Sequence, residues 1–206
     1  MLVFLGYVVR LGVRLGQTII AWQPWFVLVP VLGGAIVAAY LAADFVSGFV
    51  HYLGDTYGDE ATPFFGPNFI KPFRIHHVDP KEITRHNFFE VNGSNCLISL
   101  VVLIPLYHLV SFTTPWHVMG ALGIWFFIVF IFATNQIHKW AHANPENVPA
   151  FVKWLQNKSI ILSPTHHQTH HTAPYATYYC ITNGWLNPLL ARIHFFEKIT
   201  QAVKKK

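Results

Sequence analysis

Charged residues and cysteines are both scarce in this sequence. Asp, Glu, Lys and Arg together make up 11% of the 206 residues, and the only two cysteines are Cys96 and Cys180. A soluble domain carries about a quarter of its residues as charged side chains, so this chain is not an ordinary soluble domain. Two cysteines form no disulfide framework, so nothing indicates a disulfide-stabilised secreted domain either.

Hydrophobic residues are abundant instead: they make up 53% of the chain, and its mean hydropathy is +0.38. At ~1.5 Å of rise per residue, a helix of about 20 apolar residues crosses a ~30 Å hydrocarbon layer. The sequence therefore predicts an all-α integral membrane protein with about four transmembrane helices, in a single membrane-embedded domain over residues 1–206. The predicted spans lie at about 1–21, 26–50, 96–112 and 116–136.

The first apolar segment, residues 1–21, carries Arg10 and Arg14 and so fits two arrangements. It is either a span with snorkelling arginines or a helix that lies in the membrane interface. A cleavable signal peptide is not expected, because no basic region precedes the apolar stretch.

Positive charge is concentrated outside these spans. All but two of the 14 Lys and Arg residues lie in residues 51–95 or 137–206, whereas the connections 22–25 and 112–116 have none. The positive-inside rule therefore predicts that 51–95 and 137–206 form a histidine-rich cap on the cytoplasmic side. Tryptophans occupy the positions of an interfacial aromatic belt, at Trp22, Trp25 and Trp116.

Two stretches of the predicted cap, residues 148–161 and 185–199, are short and amphipathic, which is typical of interfacial helices. The formal net charge of +5 does not indicate a nucleic-acid partner, because the basic residues are scattered between apolar spans. The terminal run Lys204–Lys206 fits either a contact with anionic lipid headgroups or a solvated tail.

Histidine is unusually frequent: there are 13 histidines against nine Asp and Glu residues. Eleven of them lie in the predicted cap, and nine of these form four clusters, in three of which a spacing of three or four residues places side chains on one helix face. Water and headgroups would account for one isolated pair, but four clusters favour metal binding, and neutral imidazole suits Zn, Cu, Fe or Ni. Eight or more histidines are enough for two metals, which beside lipid favours a di-iron centre that activates O2 against an alkyl chain. The clusters are His51 with Asp55; His76 and His77; His138 and His142; and His166, His167, His170 and His171.

Five further polar residues need separate interpretation. Asp44 lies inside a predicted span, seven residues before His51 and on the same helix face, so it is predicted to orient that imidazole through the second ring nitrogen. The alternative for Asp44 is a hydrogen bond in helix packing. His86 is a candidate ligand, a residue behind the ligands, or a contact to lipid phosphate. The remaining histidines are interpreted as structural, at His108, His117 and His194.

Four long motifs run through the chain: ADFVSGFVHYLGDTYG, FIKPFRIHHVDPKEITRHNFFEVNGSNC, TNQIHKWAH and HHQTHHTAPYATYYCITNGWLN. Together they resemble the Kua-type lipid desaturases, in the same order and over roughly residues 26–195. Within that family they are most similar to the members that form the vinyl ether of plasmalogens. Members that introduce a trans double bond into phosphatidylglycerol acyl chains are a looser match, around ITRHNFFEVNGSNC.

The resemblance implies a reaction that uses O2 and two electrons, with two iron ions as cofactors. The electron donor is reduced cytochrome b5 in eukaryotic members, or an equivalent donor. The implied substrate is the sn-1 O-alkyl chain of a plasmanyl ethanolamine lipid, desaturated between its first two carbons. The implied location is the endoplasmic reticulum membrane if the protein is eukaryotic and the inner membrane if it is bacterial. Some members carry a long N-terminal extension that this sequence lacks, so regulation or sorting there is expected to be absent or different.

The resemblance also implies roles for particular residues. The metal ligands fall on His51, His76, His77, His138, His142, His167, His170 and His171, and Asp55 and His166 also match the motif as candidate ligands. The residues expected to be catalytic are His51, His77, His138, His142, His170 and His171.

Several alternatives remain open. One is a fatty-acyl lipid desaturase or hydroxylase on the same scaffold. Others are a zinc-dependent membrane hydrolase, a zinc transporter and a non-catalytic membrane adaptor. A transporter places its ligands near the bilayer midplane, whereas these histidines cluster at span ends. Four basic residues of the cap contact lipid phosphate or serve only as topology markers: Lys71, Arg74, Lys81 and Arg85.

Overall fold

A computed structural model of the chain describes residues 1–21 and 25–204, and the side chains of all of these except 25–28. The predictions for Trp22, the side chain of Trp25, and Lys205–Lys206 lie outside the described residues. The described chain is helical, with short irregular connections. Its helices are α1 Leu2–Ala21, α2 Trp25–Thr56, α3 Lys71–Val78, α4 Glu82–Arg85, α5 Phe88–Leu109, α6 Pro115–His142, α7 Ala150–Asn157, α8 Pro164–Gln168, α9 Asn187–Arg192 and α10 Phe195–Lys204.

Four of these helices are long and apolar enough to cross a membrane. They are Leu2–Ala21, Val29–Thr56, Phe88–Leu109 and Pro115–His142. The prediction of an all-α integral membrane protein with four long apolar helices is confirmed.

The predicted ends of these helices differ from the observed ones, because a helix continues through polar residues that can bond within it. Helix α5 begins at Phe88 rather than at residue 96, and it ends at Leu109 rather than at 112. Its first turns accommodate amides: Asn92 Nδ2 donates to the carbonyl of Phe88, and Asn95 Nδ2 donates to the carbonyl of Ile131. Helices α2 and α6 extend to Thr56 and His142, so each carries candidate ligands in its last turns.

The chain divides into two compact units. The first contains residues 1–43 and 88–133, with α1, α5, and parts of α2 and α6. Its apolar core includes Leu11, Leu15 and Leu103, all essentially inaccessible to solvent. The prediction of a single lipid desaturase domain over residues 1–206 stays a prediction.

Helix α1 accommodates Arg14 by giving its guanidinium a backbone partner. Nη1 of Arg14 donates to the carbonyl of Tyr107 at 2.7 Å, and the same group lies 4.4 Å from the ring centroid of Phe112. Tyr107 is in the last turn of α5, where carbonyls have no partner within the helix. The arginine therefore satisfies a helix end, while Leu11 and Leu15 of α1 pack into the core of the first unit.

The second unit contains residues 44–87 and everything described from Thr134 onward. A turn of π-helix, Gly66–Ile70, leads directly into α3. Residues 172–186 form no helix and connect the region after α8 to α9; we call them the linking segment. A core of aromatic and aliphatic side chains holds this unit together: Tyr52, Tyr179, Cys180, Leu190 and Phe196.

The linking segment packs so closely on α2 that only glycine fits at one position. A Cβ placed on Gly48 would lie 2.5 Å from Sγ of Cys180 and 3.0 Å from its Cα. Real side chains do not approach that closely, so any larger residue must push the segment away from the helix.

Candidate metal centre

Five imidazoles of the second unit converge on one point. Nε2 of His138 lies 2.8 Å from Nε2 of His167 and 3.2 Å from Nε2 of His142. Nε2 of His171 lies 3.1 Å from the Nε2 atoms of both His76 and His167. We call this set the five-histidine group: His76, His138, His142, His167 and His171.

Hydrogen bonding among the imidazoles does not explain this geometry. A neutral imidazole has one N–H and one lone pair, so several Nε2 atoms facing one point cannot all be donor–acceptor pairs. Ligands that each lie about 2.1 Å from a shared ion are about 3 Å apart, which matches the observed spacing. The arrangement fits a metal ion bound by Nε2 atoms.

A second group contains three imidazoles and a carboxylate. Oδ2 of Asp55 lies 3.0 Å from Nε2 of His77, 3.4 Å from Nε2 of His170 and 3.5 Å from Nε2 of His51. Both carboxylate oxygens and all three of these nitrogens are buried and have no hydrogen-bond partner among the described residues. Buried polar atoms without partners are rare in proteins, so these five atoms fit a second metal ion. We call His51, Asp55, His77 and His170 the Asp55 group.

The two groups are neighbours, and two pairs of consecutive histidines contribute one residue to each group. His76 belongs to the five-histidine group and His77 to the Asp55 group, and His171 and His170 divide in the same way. Consecutive side chains on a helix point about 100° apart, so they cannot easily reach the same ion. The ring centroids of His77 and His171 are 5.2 Å apart, and those of His170 and His171 are 5.4 Å apart. The arrangement fits two adjacent metals.

Backbone carbonyls of the linking segment orient two imidazoles of the Asp55 group. Nδ1 of His51 lies 3.1 Å from the carbonyl oxygen of Tyr179, and Nδ1 of His170 lies 2.8 Å from that of Thr177. In each case Nδ1–H donates, which leaves the Nε2 lone pair for the metal. The roles of Tyr179 and Thr177 cannot be predicted from the sequence, because a carbonyl contact carries no side-chain signature.

Burial keeps three imidazoles of the five-histidine group uncharged: His76, His167 and His171. Desolvation, reinforced by neighbouring imidazoles, lowers the pKa of His76 and of His167 well below the ordinary value. The same causes lower the pKa of His171 from 6.5 to about 3. Neutral imidazole is the form that binds metals, so these shifts keep the five-histidine group competent for binding near neutral pH.

Asp44 does not make the predicted contact with His51. Its Oδ1 accepts the backbone N–H groups of Thr182, Asn183 and Gly184 at 2.8–3.2 Å, and its Oδ2 accepts that of Leu186 at 3.2 Å. The second ring nitrogen of His51 is held by a carbonyl instead. The predicted orienting contact was therefore wrong, because the α2 face that carries Asp44 packs against the linking segment. Asp44 anchors that segment.

His166 was predicted as a ligand and lies outside both groups. Its Nε2 accepts from Nδ2 of Asn187 at 3.1 Å, and a Cβ on Gly184 would approach the same atom to 2.5 Å. This ring faces the linking segment, because it diverges from its neighbour His167, which is a member of the five-histidine group.

The other polar residues singled out in the sequence also lie outside the two groups. His86 is half-exposed and pairs with Glu82, four residues earlier on the chain. Arg74 donates to the carbonyl of Gly58, Lys81 to Oδ1 of Asn144, and Arg85 to Asp79. Neither group includes the three histidines interpreted as structural: His108 next to Tyr7, His117 near Thr114, and His194 next to Glu197.

The chain is similar to known lipid desaturases. The family model of the lipid desaturase domain matches residues 40–206. Over 166 residues the chain is 51% identical to plasmanylethanolamine desaturase of Myxococcus xanthus, an alignment that covers 79% of this chain and 57% of that protein. Over 174 residues it is 44% identical to plasmanylethanolamine desaturase 1 of Mus musculus, covering 82% of this chain and 64% of that protein.

A third relative has a different named activity. Fatty acid desaturase 4, chloroplastic, of Arabidopsis thaliana is 35% identical over 172 residues, which cover 84% of this chain and 51% of that protein. The chain thus spans between half and two thirds of the length of these relatives. No solved structure matches it. Because the domain match covers most of the chain, including every residue of both ligand groups, the chain belongs to the lipid desaturase family.

Proposed function

We propose that this protein is a membrane di-iron oxidoreductase that desaturates the sn-1 O-alkyl chain of plasmanyl ethanolamine lipids to the vinyl ether of plasmalogens. Two relatives at 51% and 44% identity carry the name plasmanylethanolamine desaturase. The observation that carries the proposal is the pair of adjacent, buried ligand groups of the second unit.

Iron is the metal that this donor set favours. Five imidazoles in one group exceed the four ligands of a tetrahedral zinc site. The other group adds a carboxylate to three imidazoles, a nitrogen and oxygen set that suits iron. The proposed ligands are therefore the nine residues of the two groups, which include all six histidines expected to be catalytic from the sequence.

When bound, the two irons supply reductive activation of O2, which provides the oxidising power for removing two hydrogens from the alkyl chain. The protein holds the ligands and limits access of water. His51 and His170 are fully buried, and carbonyls fix their Nδ1 atoms, so their Nε2 atoms are held in place before substrate arrives. Such preorganisation lowers the reorganisation needed during the reaction.

The electron donor in this proposal is reduced cytochrome b5 or an equivalent one-electron carrier. The centre is proposed to face the cytoplasm, in the endoplasmic reticulum of a eukaryote or the inner membrane of a bacterium. The excess of Lys and Arg in residues 51–95 and 137–206 supports that orientation. Lys71 is exposed at the start of α3 and is the proposed contact for lipid phosphate, since Arg74, Lys81 and Arg85 bond within the protein.

The test is expression in a host that lacks plasmalogens, supplied with an alkyl-ether precursor. Acid-labile vinyl ethers should appear in the lipid extract, and the purified protein should contain about two irons per chain. Zinc alone in active protein would overturn the iron assignment in favour of hydrolase chemistry. If the host expresses the protein and accumulates ether lipid but forms no vinyl ether, the proposed reaction is contradicted.

A fatty-acyl desaturase is the second candidate, because the Arabidopsis thaliana relative at 35% identity has that name. The same lipid extracts separate the two activities. New acyl double bonds or hydroxyl groups without vinyl ethers would favour the second candidate.

A further inference from the structure

Three tyrosines form a continuous path away from the Asp55 group. The ring of Tyr179 has its centroid 5.0 Å from that of His170 and 5.9 Å from that of His51. Tyr52 follows at 5.4 Å from Tyr179, and Tyr57 follows at 5.6 Å from Tyr52. Tyr179 and Tyr52 are buried, whereas Tyr57 is partly exposed, so the path leads from the candidate metals to the protein surface.

The middle phenol of the path is hydrogen-bonded on both sides. The hydroxyl of Tyr52 lies 2.9 Å from the hydroxyl of Tyr57 and 2.7 Å from Oγ1 of Thr200. Phenols are among the most easily oxidised side chains, and they lose their electron more readily when a hydrogen bond can take up the proton. Tyr52 therefore has both an electron donor, Tyr57, and proton acceptors in contact with it.

We propose that Tyr179, Tyr52 and Tyr57 form a redox path that carries oxidising equivalents from the metal centre to the surface when no lipid is bound. The proposal rests on the proposed O2 chemistry of the two ligand groups. Its function is protective, because an activated centre without a substrate C–H bond would otherwise oxidise its own imidazoles. The path is distinct from the desaturation of lipid and uses no residue of either ligand group as a carrier.

The electron balance closes with a thiol as the external reductant. Reduction of O2 to two waters takes four electrons and four protons. The donor supplies two electrons with two protons from water, and the lipid normally supplies two hydrogens. Without lipid, Tyr179 gives one electron and one proton to the centre and becomes a radical. Tyr52 then reduces the Tyr179 radical, and Tyr57 reduces the Tyr52 radical. Tyr57 is restored by a hydrogen atom from a thiol at the surface, and two such events yield water and one disulfide.

The rings of the path are also held in place by packing on a common neighbour. Tyr52 and Tyr179 also pack against Phe196, at 4.9 Å and 4.8 Å between centroids. The rings are thus held in contact, as electron transfer over short steps requires.

One other tyrosine competes for this role. The ring of Tyr175 lies 4.9 Å from that of His77 and is 39% exposed, so it forms a single-step exit from the Asp55 group. Unlike the rings of the three-tyrosine path, the ring of Tyr175 contacts no second tyrosine among the described ring contacts. Comparison of Tyr175→Phe with Tyr52→Phe therefore tests which exit is used.

The test uses the iron-loaded full chain in detergent, treated with hydrogen peroxide and no lipid. Peroxide supplies oxidising equivalents without an electron donor, so the result does not depend on desaturase activity. Samples are frozen within milliseconds to seconds and examined by electron paramagnetic resonance, with ring-deuterated tyrosine to identify tyrosyl signals. Wild type is expected to show a tyrosyl radical that thiol removes. Tyr57→Phe should retain the radical but slow its removal by thiol, and Tyr179→Phe should abolish it.

Phenylalanine keeps the ring packing, so these variants should fold, and unchanged iron content and circular dichroism confirm that they do. Tyr178→Phe is the matched control, because that tyrosine belongs to the same segment but packs on His166. Tyr52→Phe should increase histidine oxidation detected by peptide mass spectrometry. The proposal is overturned if wild type forms no tyrosyl radical, or if only Tyr175→Phe removes it. Vinyl ether formation, measured separately on the same preparations, tests the proposed function independently.

Discussion

The five-histidine group and the Asp55 group differ in what positions their imidazoles. In the five-histidine group, two pairs have the i, i+4 spacing of a helix face, His138 with His142 and His167 with His171. In the Asp55 group, His51 and His170 depend on carbonyls of the linking segment. The first group thus contains two imidazole pairs set by local helix geometry, whereas two imidazoles of the second are held by carbonyls of the linking segment, one of them 128 positions away along the chain.

This difference makes the linking segment the sensitive part of the centre. The segment has no helix of its own, and four of its backbone N–H groups are satisfied by Asp44. Whatever loosens it should disturb the Asp55 group first and leave the five-histidine group in place. Substitutions at the histidines of each group and at Asp44 test that asymmetry.

The largest effect is expected from removing a ligand of either group. His167→Ala and His51→Ala should each abolish vinyl ether formation, because each removes a fully buried ligand, and positions that only support a ligand already affect activity 10–100-fold. Each variant should also lose about one metal per chain, from its own group. Lipid analysis and metal quantitation of the purified protein measure both effects.

His86→Ala is the control for these variants, because His86 is half-exposed and outside both groups. It should retain both metals and most of the activity. Full activity in His51→Ala would show that the Asp55 group is not a metal site.

Asp44→Asn should weaken metal binding in the Asp55 group alone. An amide presents two hydrogens where Oδ2 now accepts the N–H of Leu186, so that contact becomes repulsive and the segment shifts. We expect the affinity for the second metal to fall about 10–100-fold, as for other residues that support ligands. Unfolding should also become easier by roughly 1–3 kcal/mol, for one buried N–H left without an acceptor.

Competition titration with a chelator resolves the two metals, and a thermal melt in detergent reports stability. Asp79→Asn is the matched control, since that aspartate pairs with Arg85 on the surface. Equal loss from both groups would contradict the asymmetry and indicate a general loss of structure.

The sequence predicts much of this centre, but not its division. The four long helices follow from the apolar runs, and all nine residues of the two groups are among the ten candidate ligands that spacing and the family resemblance indicate. The tenth candidate, His166, lies outside both groups. The sequence does not predict that His76 belongs to one group and His77 to the other, because this depends on how α3 approaches α2 and α6. The carbonyl contacts of His51 and His170, and the backbone partners of Asp44, are equally invisible in the sequence, since any residue type offers the same N–H and C=O.

Acid should destabilise the metal-free protein through the five-histidine group. Burial lowers the folded-state pKa of His171 from 6.5 to about 3 and lowers those of His76 and His167 as well. Between these values the unfolded chain takes up protons that the folded protein does not. Stability is therefore complete above about pH 6.5 and declines as the pH falls from there towards 3.

Denaturation of metal-free protein in detergent at several pH values measures this decline. Replacement of His171 by Gln should make the free energy of unfolding depend less steeply on pH, because one imidazole with a lowered pKa is removed. The same substitution at His86, which lies outside both groups, is the comparison for this variant. A flat profile for the wild type between pH 5 and 7 would contradict the burial of these imidazoles.

The smallest effect is expected at His166, although it belongs to the THHQTHH run. His166→Ala removes an acceptor for Nδ2 of Asn187, but that amide still donates to the carbonyl of Cys180 at 2.9 Å. We expect both metals to remain bound and stability to fall by about 0.5–1.5 kcal/mol, the typical value of one hydrogen bond. The measurement is the metal content of purified His166→Ala, compared with that of His167→Ala. Loss of a metal from His166→Ala would contradict the assignment of His166 to the linking segment and of His167 to the five-histidine group.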